Sequence, residues 1–131
     1  MIGLDTNVLV RLLTADDENQ LEAATRMMTP FEGIAHSFYI NDMVLVELVW
    51  VLRRLYGFAR EDCLLAIQAL LNSDAYAFED RARLAVILNL CKEQEHDFAD
   101  AMIVFKNTAA SCEYTATFDK AMSGLLYVKV I

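Results

Sequence analysis

The first eleven residues, MIGLDTNVLVR (residues 1–11), place a short apolar segment directly before a segment with helical spacing. Asp5 stands at the junction between the two segments. A strand that runs into a helix without a long turn is typical of α/β proteins, in which helices connect parallel strands. The opening of the chain therefore predicts an α/β fold and places a carboxylate where the first strand ends.

The rest of the chain continues this alternation. Predicted strands occupy residues 1–4, 35–40, 75–78, 114–117 and 127–131, and predicted helices occupy residues 7–13, 18–28, 43–56, 60–72, 79–93 and 98–110. Four Gly and one Pro leave little room for the turns of an all-β protein. We expect a three-layer α/β/α sandwich with a central parallel sheet, in which ligands bind beyond the carboxyl ends of the strands.

Length and composition indicate one core-forming domain, residues 1–131, with 56% hydrophobic residues. The 11 basic and 19 acidic residues give a net charge of −8, which repels nucleic acid unless something local reverses the sign. Three cysteines without a CxxC pair predict a reducing compartment, the cytoplasm. The longest apolar run, residues 43–52, is too short to span a membrane.

Glu47 interrupts that apolar run, MVLVELVWVL. On a helix its neighbours four and three residues before it and four after it are Met43, Val44 and Val51, so the carboxylate is predicted to lie on an apolar stripe. Burial of an unpaired carboxylate costs several kcal/mol. The pattern therefore predicts a partner for Glu47, either an arginine in a buried salt bridge or a metal ion or substrate in a functional site.

Three further acids stand at predicted element ends. Asp97 suits the N-cap of helix 98–110, and Asp100 lies in its first turn, where the helix dipole favours anions. The helix then continues almost wholly apolar, so capping does not account for Asp100. Asp119 follows the predicted strand 114–117, where a surface turn is the simplest interpretation. Together with Asp5 and Glu47, these acids are expected to converge on one pocket.

Clustered carboxylates raise one another's pKa unless cations neutralise them. Mg²⁺ and Mn²⁺ prefer such oxygen ligands, and they support the hydrolysis of phosphodiesters without a Ser, Cys or His nucleophile. The two histidines, His36 and His96, lie 60 positions apart and predict no histidine metal site. The acids therefore point to metal-dependent phosphodiester chemistry.

Four stretches of the chain resemble the motifs of PIN-domain ribonucleases, and specifically of the VapC-type toxins of toxin–antitoxin pairs. They are DTNVLVR at 5–11, ELVWVLRR at 47–54 followed by YG at 56–57, DFADAMI at 97–103, and TFDK at 117–120. The resemblance spans nearly the whole chain in the right order. It departs from the family at Ala121 and Met122, where many relatives carry a further acid or a large residue.

The resemblance implies an RNA substrate, a homodimer, a cognate antitoxin protein as inhibitor, and Mg²⁺ or Mn²⁺ as cofactor. The catalytic and metal-binding residues that it implies are Asp5, Glu47, Asp100 and Asp119. It implies an accessory or capping role for Asp97 and polar supports of the pocket at Thr6, Asn7 and Thr117. Candidate contacts to RNA phosphates are Arg11, Arg54, Lys106 and Lys120.

Two other enzyme or signalling classes fit the sequence poorly. A haloacid-dehalogenase-like phosphatase needs a second Asp two residues after the first, and that position is Asn7. A receiver-type signalling domain needs paired acids after its first strand, and Asp5 has no acidic neighbour. The remaining alternative is a catalytically inactive PIN-like module that binds RNA or protein.

Overall fold

The computed structural model describes all residues from Met1 to Ile131. In chain order its elements are β1 (Ile2–Gly3), α1 (Thr6–Thr14), α2 (Glu18–Met28), a first 3₁₀ helix (Thr29–Phe31), β2 (Phe38–Ile40), α3 (Asp42–Tyr56), α4 (Arg60–Asn72), β3 (Tyr76–Phe78), α5 (Arg81–Gln94), α6 (Phe98–Ala109), β4 (Thr115–Thr117), a second 3₁₀ helix (Lys120–Gly124) and β5 (Val128–Val130). Every predicted helix and strand is present, although each strand is shorter than predicted.

The chain folds into two compact units, Met1–Arg81 and Ala82–Ile131. In the first unit β1, β2 and β3 lie side by side in that order, and both pairings are parallel. In the second unit β4 and β5 form a parallel pair. Each strand has only two or three residues, so each pair of strands shares few hydrogen bonds. The five strands form two sheets, one of three strands and one of two. The predicted α/β class with parallel strands is confirmed.

Helix α3 illustrates how the sequence sets an element of the first unit. The side chain of Asn41 accepts a hydrogen bond from the Val44 N–H at 2.9 Å, and Gly57 ends the helix at φ 67°, a conformation that favours glycine. Leu48 and Leu52 are fully buried. Burial of a leucine side chain stabilises the fold by about 1.5–3 kcal/mol. None of the helices has the length and apolarity that crossing a membrane requires.

Arg81 ties the end of α4 to β3 in the first unit. Its guanidinium donates hydrogen bonds to the carbonyl oxygens of Leu71 and Tyr76, the second at 2.7 Å, and it lies 5.1 Å from the centroid of the Phe78 ring. Leu71 is in the last turn of α4, where backbone carbonyls lack partners within the helix. One side chain therefore satisfies the helix end and fixes the strand that follows.

The second unit has its own apolar cluster beneath the turn after β4. Val104 of α6 packs with Met122 and Leu125, and Leu90 and Val128 pack against this group. The cluster fixes the second 3₁₀ helix, and with it the segment that carries Asp119, at the end of β4.

Candidate functional site

Asp5 lies at the carboxyl end of β1, where the sequence places it. It is the N-cap of α1, and its Oδ1 accepts a hydrogen bond from the Thr6 N–H at 2.7 Å. The side chain is exposed. One carboxylate oxygen therefore holds the helix start, while the other remains available to a ligand.

Thr6 carries a buried polar atom without a partner. The residue is 3% exposed, and its Oγ1 has no hydrogen-bond partner in the protein. A buried hydroxyl without a hydrogen bond costs about 1–3 kcal/mol. Such unsatisfied groups are rare in folded proteins and each calls for a reason. Because Thr6 directly follows Asp5, the explanation that its position favours is a ligand that binds next to Asp5 and forms a hydrogen bond with the Thr6 hydroxyl.

Replacement of Thr6 by valine is expected to raise the free energy of unfolding by about 1 kcal/mol, because a methyl group takes the place of an unsatisfied hydroxyl of similar size. Urea denaturation of the wild type and the variant measures this change. Thr115→Val is the matched control, since the buried Thr115 Oγ1 accepts a hydrogen bond from Asn107 Nδ2 at 3.0 Å and its loss should destabilise the fold. Equal destabilisation by both substitutions would contradict the expectation.

Glu47 lies in the second turn of α3 and is exposed. The prediction that it lies on a buried apolar stripe is therefore wrong. Because α3 is apolar around most of its circumference, the pattern alone does not tell which side packs, and the packing against α1 and α4 buries the side that carries Leu48 and Leu52. Met43 is 82% exposed and Trp50 59% exposed. The carboxylate of Glu47 therefore faces solvent and not the core of the first unit.

Two acids of the first unit were missed by the sequence reasoning. Asp42 follows β2 and is 5% exposed, and its N–H donates a hydrogen bond to Glu79 Oε1 at 3.1 Å. Glu79 directly follows β3. Helix α5 begins at Arg81 and not at residue 79 as predicted, so Glu79 lies between the strand and the helix. A similar signal marks both residues, since Glu79 directly follows β3 and Asp42 follows β2 after one residue, Asn41. Acids therefore follow all three strands of this sheet.

The second unit brings together three of the predicted acids, Asp97, Asp100 and Asp119. Asp97 is the N-cap of α6, and its Oδ1 accepts a hydrogen bond from the Asp100 N–H at 3.0 Å. Asp119 caps the second 3₁₀ helix through a 2.9 Å hydrogen bond from the Ala121 N–H. The Asp119 N–H in turn donates to Thr117 Oγ1 at 3.0 Å. Thr117 thus helps to hold Asp119 in place at the end of β4.

The charges of these acids act on one another. Burial raises the pKa of Asp100, and the carboxylates of Asp97 and Asp119 raise that pKa further, while His96 opposes them. Asp100 is half-buried, whereas Asp97 and Asp119 are exposed. A carboxylate whose pKa is raised by other carboxylates lies in a negative local field, and a cation relieves that field.

The oxygen atoms of these carboxylates are chemically suited to bind a hard divalent cation, because Mg²⁺ and Mn²⁺ prefer carboxylate oxygens as ligands. The side chains as they lie do not include a group of three or more His, Cys, Asp or Glu arranged to hold a metal ion. Three of the acids, Asp5, Asp97 and Asp119, each give one oxygen to a backbone N–H and keep the other. In the second unit the raised pKa of Asp100 is a feature that a bound cation would relieve. In the first unit the unsatisfied hydroxyl of Thr6 is a feature that a hydrogen-bonding ligand would relieve.

Four basic residues are candidate contacts to RNA phosphates. The Arg11 guanidinium donates hydrogen bonds to Asp16 Oδ1 and to the Tyr56 hydroxyl, both at 2.9 Å. Arg54, Lys106 and Lys120 are exposed. Binding of RNA phosphate by Arg11 would compete with its present partners, and such a role for each of these four residues stays a prediction.

The first unit has two cavities that lie in different places. A cavity of about 350 Å³ between α1 and α2 is lined by residues that include Asn7 and Arg11, close in sequence to Asp5. The larger cavity, about 600 Å³, is lined by Phe38 at the start of β2 and by Asp74 and Ala75, which precede β3. It therefore lies at the amino ends of these strands, opposite the edge where the acids stand.

Comparison with known proteins covers both units. The model of the PIN domain family matches residues 2–125. A VapC ribonuclease of Aquifex aeolicus (strain VF5) is 21% identical over 122 residues, which cover 93% of this chain and 90% of that protein. No solved structure matches the chain. The matched stretch includes each of the candidate acids that the sequence singled out.

Proposed function

This chain belongs to the PIN domain family, and we propose that it is a metal-dependent endoribonuclease that hydrolyses RNA phosphodiester bonds as one nuclease domain. The observation that carries the proposal is the group of Asp97, Asp100 and Asp119, in which burial and then the two neighbouring carboxylates raise the pKa of Asp100. Stability alone gives no reason to keep like charges together, whereas a site for a divalent cation does. The similar VapC ribonuclease supports RNA as the substrate.

Asp5, Glu47, Asp100 and Asp119 are the residues proposed to hold Mg²⁺ or Mn²⁺. When bound, such an ion supplies Lewis acidity at the phosphate and lowers the pKa of water enough to make it a nucleophile. Asp97 is proposed as an accessory acid, which holds the N-terminus of α6 through its hydrogen bond to the Asp100 N–H.

Three polar residues are proposed to support these acids. Thr117 orients the turn that carries Asp119 through the hydrogen bond to its N–H. Thr6 offers a hydroxyl that has no partner within the protein, directly after Asp5. Asn7 lines the cavity between α1 and α2. Their proposed task is to place oxygen donors and the substrate, not to form or break bonds.

The net charge of −8 shapes how RNA binds. A polyanion is repelled by such a surface, so the neutralisation of phosphate has to be local. Divalent cations at the acids and the exposed Arg54, Lys106 and Lys120 are proposed to supply it. We expect weak non-specific affinity for RNA and a strong dependence of RNA cleavage on divalent cations.

The proposed biological setting is that of a toxin in the cytoplasm, inhibited by a cognate antitoxin protein. The name of the similar VapC ribonuclease supports the toxin assignment, and a basic antitoxin segment would complement the acidic surface. We further propose a homodimer, whose existence size-exclusion chromatography with light scattering would test.

Purified protein is expected to cleave RNA with Mg²⁺ or Mn²⁺ and to lose this activity in EDTA. Asp5→Asn is expected to lower the rate by about 10²-fold or more, because one charged ligand is lost. Asparagine caps a helix about as well as aspartate, so α1 should persist, and circular dichroism checks this. The measurement is cleavage of labelled RNA in gels.

A preparation that is free of contaminating nuclease is essential to this assay. Cleavage that survives EDTA, or that Asp5→Asn leaves unchanged, would overturn the proposed mechanism. Binding of RNA without cleavage under all metal conditions would instead favour the second candidate function, an inactive PIN-like module that binds RNA or protein.

A further inference from the structure

Phe118 is a large aromatic side chain that the fold leaves in water. It is 82% exposed and stands between Thr117 and Asp119, at the carboxyl end of β4. Single exposed apolar residues are common on protein surfaces and need no explanation by themselves. The place of Phe118, directly beside a proposed catalytic acid, is what sets it apart.

The backbone on both sides of Phe118 is held by hydrogen bonds. Thr117 Oγ1 accepts from the Asp119 N–H at 3.0 Å, and the Thr117 carbonyl accepts from the Ile131 N–H at 2.9 Å. On the other side, the Asp119 carbonyl accepts from the Met122 N–H at 3.1 Å. The ring is thus presented from a fixed turn and not from a loose loop.

The core of the second unit is packed without the Phe118 ring. The space beneath the turn is filled by Val104, Met122 and Leu125, with Val128 packed against them. Met122 and Leu125 are 6% and 4% exposed, which leaves the cluster closed without Phe118. The ring is therefore available to a ligand at no cost to the packing.

We propose that Phe118 is a stacking platform for the RNA base next to the cleaved phosphodiester. The inference rests on the proposed ribonuclease function and deepens it. Phe118 directly precedes Asp119, and consecutive Cα atoms lie about 3.8 Å apart, so the backbone that carries the ring adjoins the backbone that carries the carboxylate. Exposed Lys120 follows on the other side of Asp119 and suits the adjoining phosphate.

Stacking on Phe118 sets a requirement on the RNA base beside the cut. Stacking on an aromatic ring needs a base whose face is open, as in single strands, loops and bulges, and bases inside an A-form duplex are closed to it. Every base has a π-face, so the contact tolerates sequence. Phe118 is thus the residue that selects for an unpaired base beside the cut.

The test compares kcat/KM of Phe118→Leu and Phe118→Trp with that of the wild type on a single-stranded oligoribonucleotide. Phe118→Leu is expected to lower kcat/KM by about 10- to 100-fold, and Phe118→Trp to stay within about 2-fold, because only an aromatic ring stacks. The same variants are then assayed on oligonucleotides in which one base beside the cut is replaced by an abasic ribose. On the abasic RNA without the stacked base, wild type and Phe118→Leu should become equal.

Leu65→Ala is the matched control, since Leu65 of α4 is 60% exposed and lies in the other unit. It should leave kcat/KM unchanged on both RNAs. A Phe118→Leu variant that cleaves like the wild type, or whose loss is equally large on abasic RNA, would overturn the platform. Loss of binding to a protein partner or of a dimer, with cleavage unchanged, would do the same and would assign Phe118 to a protein contact.

A binding measurement separates the platform from the catalytic proposal. In a Trp50→Phe background, Phe118→Trp carries the one tryptophan of the chain. Its fluorescence is expected to be quenched by single-stranded RNA but not by duplex RNA of equal length, whether or not cleavage occurs. Quenching without cleavage would support the platform and refute the nuclease, and cleavage without quenching would refute the platform alone.

Discussion

Asp100→Asn is expected to lower RNA cleavage by about 10²- to 10³-fold and, at neutral pH, to leave the protein at least as stable as the wild type. Burial, Asp97 and Asp119 all raise the pKa of Asp100. Asparagine has the same shape without the charge, so it removes the repulsion and keeps the packing. If Asp100 binds a cation, we expect it to lower the stability of the fold and yet to be needed for activity.

The gain in stability has a defined dependence on pH. The folded state holds the Asp100 proton to higher pH than the unfolded chain, whose ordinary value is 3.8. Below that value both states are protonated and the penalty is absent. As pH rises through the raised folded pKa, the wild type loses stability, and the penalty is fully present at neutral pH. Because Asp100 is only half-buried and water screens its charge, we expect the stability difference to be less than about 1 kcal/mol.

Urea denaturation at about pH 4 and about pH 7 measures this difference between Asp100→Asn and the wild type. The advantage of the variant should be present at the higher pH and shrink at the lower one. Asp97→Asn is the matched control, because asparagine keeps the cap of α6 and its effect on cleavage should be smaller. Full activity of Asp100→Asn, or a larger advantage in acid, would contradict the assignment.

Local chemistry made most of the fold predictable. Asn41, Gly57 and Asp97 are capping residues by type, and each caps the helix that the sequence predicts. Helices α2 and α4 also begin and end at the predicted residues, although Ala59 at the N-cap of α4 makes no side-chain hydrogen bond to the helix. Strand ends were less well predicted, because a strand ends where its neighbour stops pairing and not at a residue of a given type.

The candidate site was predictable only where it follows an element end. Asp5 and Asp119 could be found in this way, and Asp42 and Glu79 could have been found by the same rule. The unsatisfied hydroxyl of Thr6 was beyond reach, because it depends on which side chains surround it in three dimensions. The exposure of Glu47 was beyond reach for a related reason, since an apolar run gives no direction to the helix that it forms.

The exposure of Glu47 changes what its replacement should do. Glu47→Gln is expected to lower RNA cleavage by about 10²- to 10³-fold, because a proposed metal ligand loses its charge. The free energy of unfolding should stay within about 0.5 kcal/mol of the wild type, as for other surface substitutions. Cleavage assays with Mg²⁺ and urea denaturation together measure the two quantities. Glu61→Gln, an exposed glutamate on α4, is the control and should change neither.

Glu47→Leu separates the two interpretations of the position. If the side chain lay on a buried apolar stripe, leucine would remove a buried charge, add packing and stabilise the fold by more than about 1 kcal/mol. On the exposed side of α3, beside Met43 and Trp50, leucine gains no burial and enlarges an apolar patch, so stability should not rise. Unchanged stability with lost cleavage would mean that the carboxylate is kept for what it binds, since the fold does not need it. Retained cleavage in both Glu47 variants would remove the residue from the proposed metal site.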